Sequence, residues 1–275
     1  MPDLPDDGSS SWRQYSFSKQ ELQTLRSVVE ERLGIHIGPE KDYLLASRFG
    51  KMLNFNGMAD GKELIASLRG MSLDTEKVLA SFLTTGHTFF FREPEHFGIL
   101  VKLLGNSRLQ APRIWCAASS TGEEVYSIVI SLLEAGIADF SFLASDVNLE
   151  ALKACRQGVY RDDRLNGVEP SLIKRYFLKG SQPGSFQINP GLSRRIILKR
   201  LNLTERFRIE HKMDIVFCRN VLIYFTPATQ MKVLANIENN LAQGGYLFLG
   251  HSEPLMGSLR NLVLIAPSVY QKKLA

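Results

Sequence analysis

Residues 113–124, with the sequence RIWCAASSTGEE, combine a short apolar run, a turn of small residues and the start of a helical pattern. Further apolar runs alternate with helical patterns along the chain; the runs lie at 140–145, 214–218 and 246–250, and the helical patterns at 122–135, 148–157 and 227–242. This alternation predicts βαβ units, and therefore an α/β fold with a parallel sheet covered on both faces.

Two stretches depart from the alternation. Residues 262–265 and 269–271 are apolar runs around Pro267, and they predict an antiparallel hairpin at the end of the sheet. Residues 185–188 and 194–201 flank Asn-Pro-Gly, a strong turn signal, so we expect a second β-hairpin inserted into the α/β domain. The insert lies in a basic region, since residues 151–212 contain 14 Lys+Arg against 5 Asp+Glu.

The first part of the chain has only helical patterns. Ser18 is a candidate N-cap, and Glu21 three positions later completes a capping box. A second helix over residues 39–54 opens with Pro39, which is favoured at the first helical position. The predicted division of the chain is a disordered tail (1–15), a small all-helical domain (16–82), a connecting segment (83–98) and the α/β domain (99–275), with its β insert at about 180–202.

Composition excludes several classes of protein. The 275 residues include 44% hydrophobic and 22% charged residues, as in a soluble globular protein, and no run reaches the ~18 apolar residues of a membrane span. The N-terminal stretch has no apolar core of a signal peptide. The cysteines Cys116, Cys155 and Cys218 form no C-x-x-C pair, so we interpret them as buried residues in a reducing compartment. The five histidines are scattered, and we expect no metal site.

Carboxylates follow the first two strands of the expected sheet. Glu123 and Glu124 at the helix start would repel a pyrophosphate and favour a cationic cofactor, although Thr121 and Glu124 also fit a capping box. Asp146 ends the second strand, where a carboxylate commonly accepts hydrogen bonds from ribose hydroxyls. The alternative for Asp146 is a cap of the following helix.

Two further clusters contain polar side chains. Arg219, Asn220 and Tyr224 follow the strand at 214–218, at the sheet edge where α/β proteins bind ligands. Residues 83–97, LTTGHTFFFREPEHF, join the helical and α/β domains. Three phenylalanines between Thr88 and Arg92 are typical of an ordered lid, and a linker that packs into the core is the alternative.

These stretches together resemble the CheR family of chemoreceptor glutamate methyltransferases. The resemblance runs from about residue 17 to the end, and several long motifs carry it in the same order: 83–97, 113–127, 144–146, 217–225 and 250–253. It implies a Rossmann-like methyltransferase domain with a small inserted antiparallel β-subdomain, after a small all-helical domain. The implied reaction is transfer of a methyl group from S-adenosylmethionine to glutamate side chains of chemoreceptors.

The resemblance also implies roles for individual residues. The expected cofactor contacts are Thr88, Arg92, Glu124, Asp146, Asn202, Leu203, Arg219 and Asn220, to which we add Glu123 and Gly86. Gly86 stands where the family usually has asparagine, and Val125 where proline is common. Arg92 and Tyr224 are the candidate catalytic residues. Lys41, Arg48 and Lys51 would face the receptor, and the inserted hairpin would bind a receptor's C-terminal peptide.

The chemistry agrees with this set of residues. A glutamate side chain has a pKa near 4.3 and needs no general base at neutral pH, and the reaction requires no metal. Two alternatives stay open at this point. The basic insert is compatible with a nucleic-acid methyltransferase, although no N/D-P-P-Y stretch is present, and Gly86 is compatible with a catalytically silent cofactor-binding scaffold. We expect a cytoplasmic monomer that binds no nucleic acid and does not insert into a membrane.

Overall fold

A computed structural model describes residues 13–70, 73–84, 86–106, 109–253 and 261–274, without the side chains of 73–77. Residues 1–12, most of the predicted tail, lie outside this description. Among the described residues, no helix has the length and apolar character that a membrane span requires.

The helices and strands follow the expected order of a helical part and then an α/β part. The α-helices are α1 (Lys19–Leu33), α2 (Asp42–Asn56), α3 (Gly61–Arg69), α4 (Leu73–Leu83), α5 (Glu95–Gly105), α6 (Glu123–Glu134), α7 (Leu149–Gln157), α8 (Pro170–Tyr176), α9 (Pro190–Ser193) and α10 (Pro227–Asn240). The strands are β1 (Arg113–Ala117), β2 (Ser141–Asp146), β3 (Val159–Arg161), β4 (Phe177–Lys179), β5 (Ser185–Ile188), β6 (Ile196–Arg200), β7 (Met213–Cys218), β8 (Leu241–Leu249), β9 (Leu262–Ala266) and β10 (Val269–Lys272).

Helices α1–α4 share a hydrophobic cluster of their own. The capping box at the start of α1 is confirmed: the Ser18 hydroxyl accepts from the Glu21 N–H, and the Glu21 carboxylate accepts from the Ser18 N–H. The helix ends at Gly34, whose φ of 71° is a left-handed conformation that glycine adopts without strain. The buried residues of α1 and α2 then pack against α3 and α4. The domain boundaries themselves stay a prediction.

The main sheet has seven strands in the order β6-β2-β1-β7-β8-β10-β9. The first five run parallel, and β10 and β9 are antiparallel, which confirms the predicted C-terminal hairpin. The strand order reverses between β1 and β7, and ligands of open α/β sheets bind at such a switch point, outside the carboxyl ends of the strands. The predicted α/β, Rossmann-like fold class is therefore confirmed.

Apolar residues cover both faces of this sheet, as the sequence predicts for parallel strands. On one face, α5 and α6 pack against alternate residues of the central strands, such as Ile114, Cys116 and Phe217. On the other face, α10 packs against their neighbours, such as Trp115 and Val216. The alternation along each strand thus leaves only the strand ends free to form a site.

A three-stranded antiparallel sheet in the order β3-β5-β4 forms the small β-subdomain. It spans residues 159–188, earlier than the predicted 180–202. The predicted hairpin between residues 185–188 and 194–201 is wrong, because β5 pairs with β3 and β4 whereas β6 pairs in parallel with β2 in the main sheet. The Asn-Pro-Gly stretch begins helix α9: the Asn189 side chain accepts from the Gly191 N–H, and Pro190 occupies the first helical position.

The helical part contacts the α/β part beside the switch point. Ile35 forms an isolated antiparallel bridge with Phe225, and the His36 N–H donates to the Tyr224 carbonyl at 2.8 Å. The Asn148 amide at the start of α7 donates to the Thr84 hydroxyl at 2.9 Å. These bonds hold α1 and α2 over the carboxyl ends of the parallel strands and enclose a space there.

Candidate active site

A cavity of about 280 Å³ lies between the helical part and the carboxyl ends of β1, β2 and β7, and we call it the central cavity. Most of the residues predicted to bind the cofactor or to act in catalysis line it: Gly86, Thr88, Arg92, Glu124, Asp146, Asn202, Leu203, Arg219, Asn220 and Tyr224. The structure therefore gathers residues from five separate stretches of the chain, four of which belong to the motifs quoted above. Glu123 and Lys51 are not among its lining residues.

The turn after β1 forms one wall of the central cavity. Ala118 and Ser120 have φ angles of 59° and 49°, a region that costs a non-glycine residue energy and is common at functional sites. Gly122 has φ 99°, and a Cβ there would lie 2.6 Å from the Cys155 sulfur. The buried hydroxyl oxygens of Ser119 and Ser120 have no hydrogen-bond partner among the described residues. This wall has unused hydrogen-bonding capacity towards a ligand.

The adjacent glutamates Glu123 and Glu124 point in different directions, because successive helical residues are about 100° apart. Glu123 is fully buried, forms an ion pair with Arg164 and accepts from the Thr121 hydroxyl at 2.6 Å. Glu123 therefore does not line the central cavity, and its role as a cofactor contact stays a prediction. The capping box from Thr121 to Glu124 is also absent, since Gly122 is the N-cap of α6 and makes no side-chain capping bond.

Glu124 faces the central cavity. It accepts a hydrogen bond from Arg219 at 2.7 Å and one from the Cys116 thiol at 3.3 Å. Burial raises the pKa of Glu124 above its usual range, and the Arg219 charge only partly opposes this. Burial likewise raises the pKa of Asp146, although its carboxylate accepts from the backbone N–H groups of Ser120 and Asn148. The helix cap after β2 is Asn148, so capping is not the role of Asp146.

Arg219 joins the strand ends to the connecting segment. Its side chain is fully buried, and besides Glu124 it donates to the Arg92 carbonyl at 2.5 Å and to the Glu93 carboxylate at 3.0 Å. Its Nε has no partner among the described residues. Glu93, which the sequence analysis did not single out, also accepts from the Asn220 side chain at 3.1 Å. Burial opposes ionisation of Glu93, but the bonds from Asn220 and Arg219 outweigh it and lower its pKa.

A second carboxylate that the sequence analysis missed is Glu253. It is 4% exposed, and one oxygen accepts from the backbone N–H groups of Asn220 at 2.7 Å and Gly250 at 2.8 Å. The other oxygen accepts from the N–H groups of Leu222 at 2.6 Å and Ile223 at 3.4 Å. Asn220 has φ 57°, so this carboxylate holds the loop after β7 in a strained conformation.

Two histidines lie behind Glu93, away from the cavity lining. The His96 and His251 rings are 4.9 Å apart between centroids, although the residues are far apart in the sequence. His96 is fully buried, and burial lowers its pKa to about 4. The scatter of histidines along the chain was therefore no guide to their positions in space.

The connecting segment is in part a linker that packs into the core and in part an ordered wall of the central cavity. Phe90 packs into the core, with its ring centroid 5.0 Å from Tyr160 and 5.4 Å from Phe177. Arg92 lies over the Phe89 ring and donates to the His87 carbonyl at 3.0 Å. The aromatic residues thus anchor the segment, while its polar residues line the central cavity.

Several predicted contacts have a different environment from the one expected. The Asn202 amide is already used, since it donates to the Arg32 carbonyl at 3.0 Å and accepts from Thr204. Leu203 is a buried part of the apolar wall. A Cβ on Gly86 would lie 2.9 Å from the Ser120 hydroxyl oxygen, so an asparagine here would require that hydroxyl to move.

Two of the three residues expected to face a receptor also line the central cavity. Lys41 is exposed at its rim, and Arg48 is half-buried in its wall. Arg48 donates to the Leu83 carbonyl, and burial lowers its pKa, whereas the nearby Tyr224 raises it. Two basic side chains and a tyrosine therefore lie on this side of the cavity.

Comparisons with known proteins identify relatives of this chain. Residues 86–268 match the family described as "CheR methyltransferase, SAM binding domain", where SAM is S-adenosylmethionine. The chain is 34% identical to the chemotaxis protein methyltransferase of Borreliella burgdorferi, over 94% of this chain and 95% of that one. It is 33% identical to the chemotaxis protein methyltransferase of Salmonella typhimurium, over 93% and 91%. The chain therefore belongs to the CheR methyltransferase family, whose cofactor is S-adenosylmethionine.

Proposed function

We propose that this methyltransferase esterifies glutamate side chains on the cytoplasmic domains of chemoreceptors. The observation that carries the proposal is the pair of basic side chains on one side of the central cavity, where Arg48 lies beside Tyr224 and Lys41 is at the rim. A carboxylate substrate would be attracted there, and it would approach the same cavity that contains the cofactor residues. The chemotaxis methyltransferases to which the chain is similar support this substrate class.

The polar groups of the central cavity fit the cofactor. Glu124 and Asp146 offer carboxylate acceptors for an ammonium group and for ribose hydroxyls, and the unpartnered hydroxyls of Ser119 and Ser120 lie beside them. Leu203 contributes an apolar wall that suits a base. We therefore propose Glu124, Asp146, Arg219 and Asn220 as the groups that hold the cofactor, with Thr88, Arg92 and Gly86 from the connecting segment.

The residues have to position the reactants and exclude water. S-adenosylmethionine supplies a methyl group that is already activated by a positively charged sulfur. A substrate glutamate is ionised at neutral pH and is already a nucleophile, so no residue has to remove a proton. We propose that the Tyr224 hydroxyl and the Arg92 guanidinium orient the carboxylate. Fixed geometry of this kind accounts for large rate enhancements.

The receptor side of the proposal involves two surfaces. Lys41, Arg48 and Lys51 lie on or before α2 and would face the acidic methylation region of a receptor. In the small sheet, β3 and β4 are the outer strands, and an extended C-terminal receptor peptide would add to one of them. The expectation of a cytoplasmic, monomeric enzyme belongs to this proposal.

The test is incubation with labelled S-adenosylmethionine and receptor cytoplasmic fragments, followed by mild base. A methyl ester releases methanol in base, whereas an N-methyl group on a nucleic acid or amine does not. Label that stays on the receptor after base treatment, or transfer to RNA in preference to the receptor, would contradict the proposal. A silent scaffold would bind S-adenosylhomocysteine in calorimetry without any transfer.

The affinity for S-adenosylhomocysteine is expected to fall as the pH falls. The fall should begin at a higher pH than it would if the binding carboxyl groups had ordinary pKa values. The reason is that burial raises the pKa of both Glu124 and Asp146, and protonation weakens them as acceptors for the ligand's ammonium group and ribose hydroxyls. Calorimetry between about pH 8 and about pH 5 measures this. Asp146→Asn should bind more weakly and with a shallower pH dependence. A wild-type affinity that is constant over the range would contradict the assignment.

Tyr224→Phe is expected to lower kcat by roughly 10- to 100-fold, because a hydrogen-bond donor to the reacting carboxylate is lost. Arg92→Ala should also reduce turnover. A matched control is Tyr246→Phe, whose hydroxyl bonds Gln271 outside the central cavity and whose loss should leave kcat unchanged. Initial rates at saturating cofactor measure the effect. The assignment of catalytic roles is wrong if Tyr224→Phe and Arg92→Ala both keep wild-type turnover.

A further inference from the structure

Glu93, His96 and His251 bring three potential metal ligands together behind the central cavity, and we call them the histidine cluster. The Glu93 Oε2 atom lies 3.6 Å from His96 Nδ1 and 4.0 Å from His251 Nε2. One ligand atom from each residue lies within 4.8 Å of the other two. Ligands bound to one Zn²⁺ ion at about 2.0–2.2 Å are roughly 3.3–3.6 Å apart, so small side-chain movements would suffice.

His96 gives an independent indication that this cluster binds a ligand. Its side chain is fully buried, and neither ring nitrogen makes a hydrogen bond of good geometry with a described residue. A buried polar group without a partner costs free energy, so each such group requires an explanation. The Pro267 carbonyl interacts with the same ring. Metal-binding histidines commonly direct their second nitrogen at a backbone carbonyl.

The charges around the histidine cluster favour a cation. The buried Arg219 guanidinium forms ion pairs with Glu93 and Glu124, and the Glu253 carboxylate is close enough to Glu124 to help raise its pKa. The Glu93 Oε2 atom accepts from Arg219 at 3.0 Å and from the His251 backbone N–H at 3.2 Å, and the two histidine rings face the same oxygen. A metal ion bound at the histidine cluster would therefore lie next to the Glu93 carboxylate, in a region where carboxylates outnumber guanidinium groups.

We propose that Glu93, His96 and His251 form a binding site for a divalent transition-metal ion, best fitted by Zn²⁺, and that its occupation weakens cofactor binding. Two imidazoles and one carboxylate are a donor set typical of zinc, whereas Mg²⁺ and Ca²⁺ prefer oxygen ligands. The cofactor is affected because Glu93 also bonds Arg219 and Asn220, which line the central cavity. A metal ion on Glu93 repels the guanidinium and withdraws the carboxylate from both residues.

The first test measures Zn²⁺ binding to the full chain by competition with a chromogenic chelator. We expect one ion per chain, with affinity reduced at least about 10-fold in His251→Ala, which removes one ligand. The His251 side chain is 45% exposed, so this change opens no buried cavity. The matched control is His211→Ala, an exposed histidine elsewhere, which should bind as wild type does. Equal zinc affinity in wild type and His251→Ala, or no zinc binding to wild type, overturns the site.

A second readout separates the site from its effect. Co²⁺ in place of Zn²⁺ should give visible absorption bands of nitrogen and oxygen coordination, which are lost in His251→Ala. The Kd for S-adenosylhomocysteine should rise several-fold at saturating Zn²⁺ and return after chelation with EDTA, and Mg²⁺ should have no effect. Zinc binding through His251 with an unchanged Kd for S-adenosylhomocysteine would overturn the inhibitory part of the proposal.

Discussion

Replacing Arg219 by alanine is expected to reduce the affinity for S-adenosylhomocysteine at least about 100-fold and to lower the free energy of unfolding by about 3–5 kcal/mol. The fully buried guanidinium bonds Glu124, Glu93 and the Arg92 carbonyl, and its removal leaves two carboxylates without their positive partner. Loss of one member of a buried ion pair is costly because the remaining charge stays away from water. The connecting segment would also lose its bond to the strand ends.

A second variant at this position and a control elsewhere show whether the charge or the geometry of Arg219 matters. Arg219→Lys keeps the charge, but one ammonium group cannot reach three acceptors on different elements, so affinity should recover only in part. Arg175→Ala is the matched control, because Arg175 forms an exposed ion pair with Glu134 and its loss should leave cofactor affinity unchanged. Calorimetry and denaturant unfolding measure both quantities. An Arg219→Ala protein with wild-type affinity would show that Arg219 does not organise the site.

The fold was predictable where the pattern is local. The apolar run, turn and helix of residues 113–124 and the regular alternation after it require only short-range periodicity, and both are present in the structure. The hairpin at residues 185–201 failed because Asn-Pro-Gly suits a helix start as well as a turn. The pairing of β6 with β2 is a long-range choice, which no local signal in the sequence specifies.

The sequence predicted which motifs form the site, but not the direction in which each side chain points. The sequence located Glu123 and Glu124 at the helix start, but only the helix phase decides that Glu124 faces the central cavity. Glu93 and Glu253 were missed because their partners are an arginine and backbone N–H groups distant in sequence. Both belong to quoted motifs, and Glu253 had a further usable signal, since it lies three positions after Gly250, which follows β8.

Glu253→Gln is the second change with a large expected effect. Each carboxylate oxygen of Glu253 serves two backbone N–H groups, those of Asn220 and Gly250 on one side and those of Leu222 and Ile223 on the other. A glutamine has one oxygen and one NH2 group. In either orientation of the amide, the NH2 group therefore faces two backbone N–H groups, which are also donors. Two charge-assisted hydrogen bonds are lost, and we expect the free energy of unfolding to fall by about 3 kcal/mol.

The same change should lower methyl transfer by roughly 100-fold, because the strained loop that holds Arg219, Asn220 and Tyr224 loses its support. Glu150→Gln is the matched control: its exposed ion pair with Lys153 should contribute less than about 0.5 kcal/mol. Denaturant unfolding and initial rates measure the two effects. Because Glu253 acts through the loop and does not line the central cavity, both the affinity for S-adenosylhomocysteine and kcat should fall. A Glu253→Gln enzyme with wild-type stability and reduced kcat would instead indicate direct contact with the reactants.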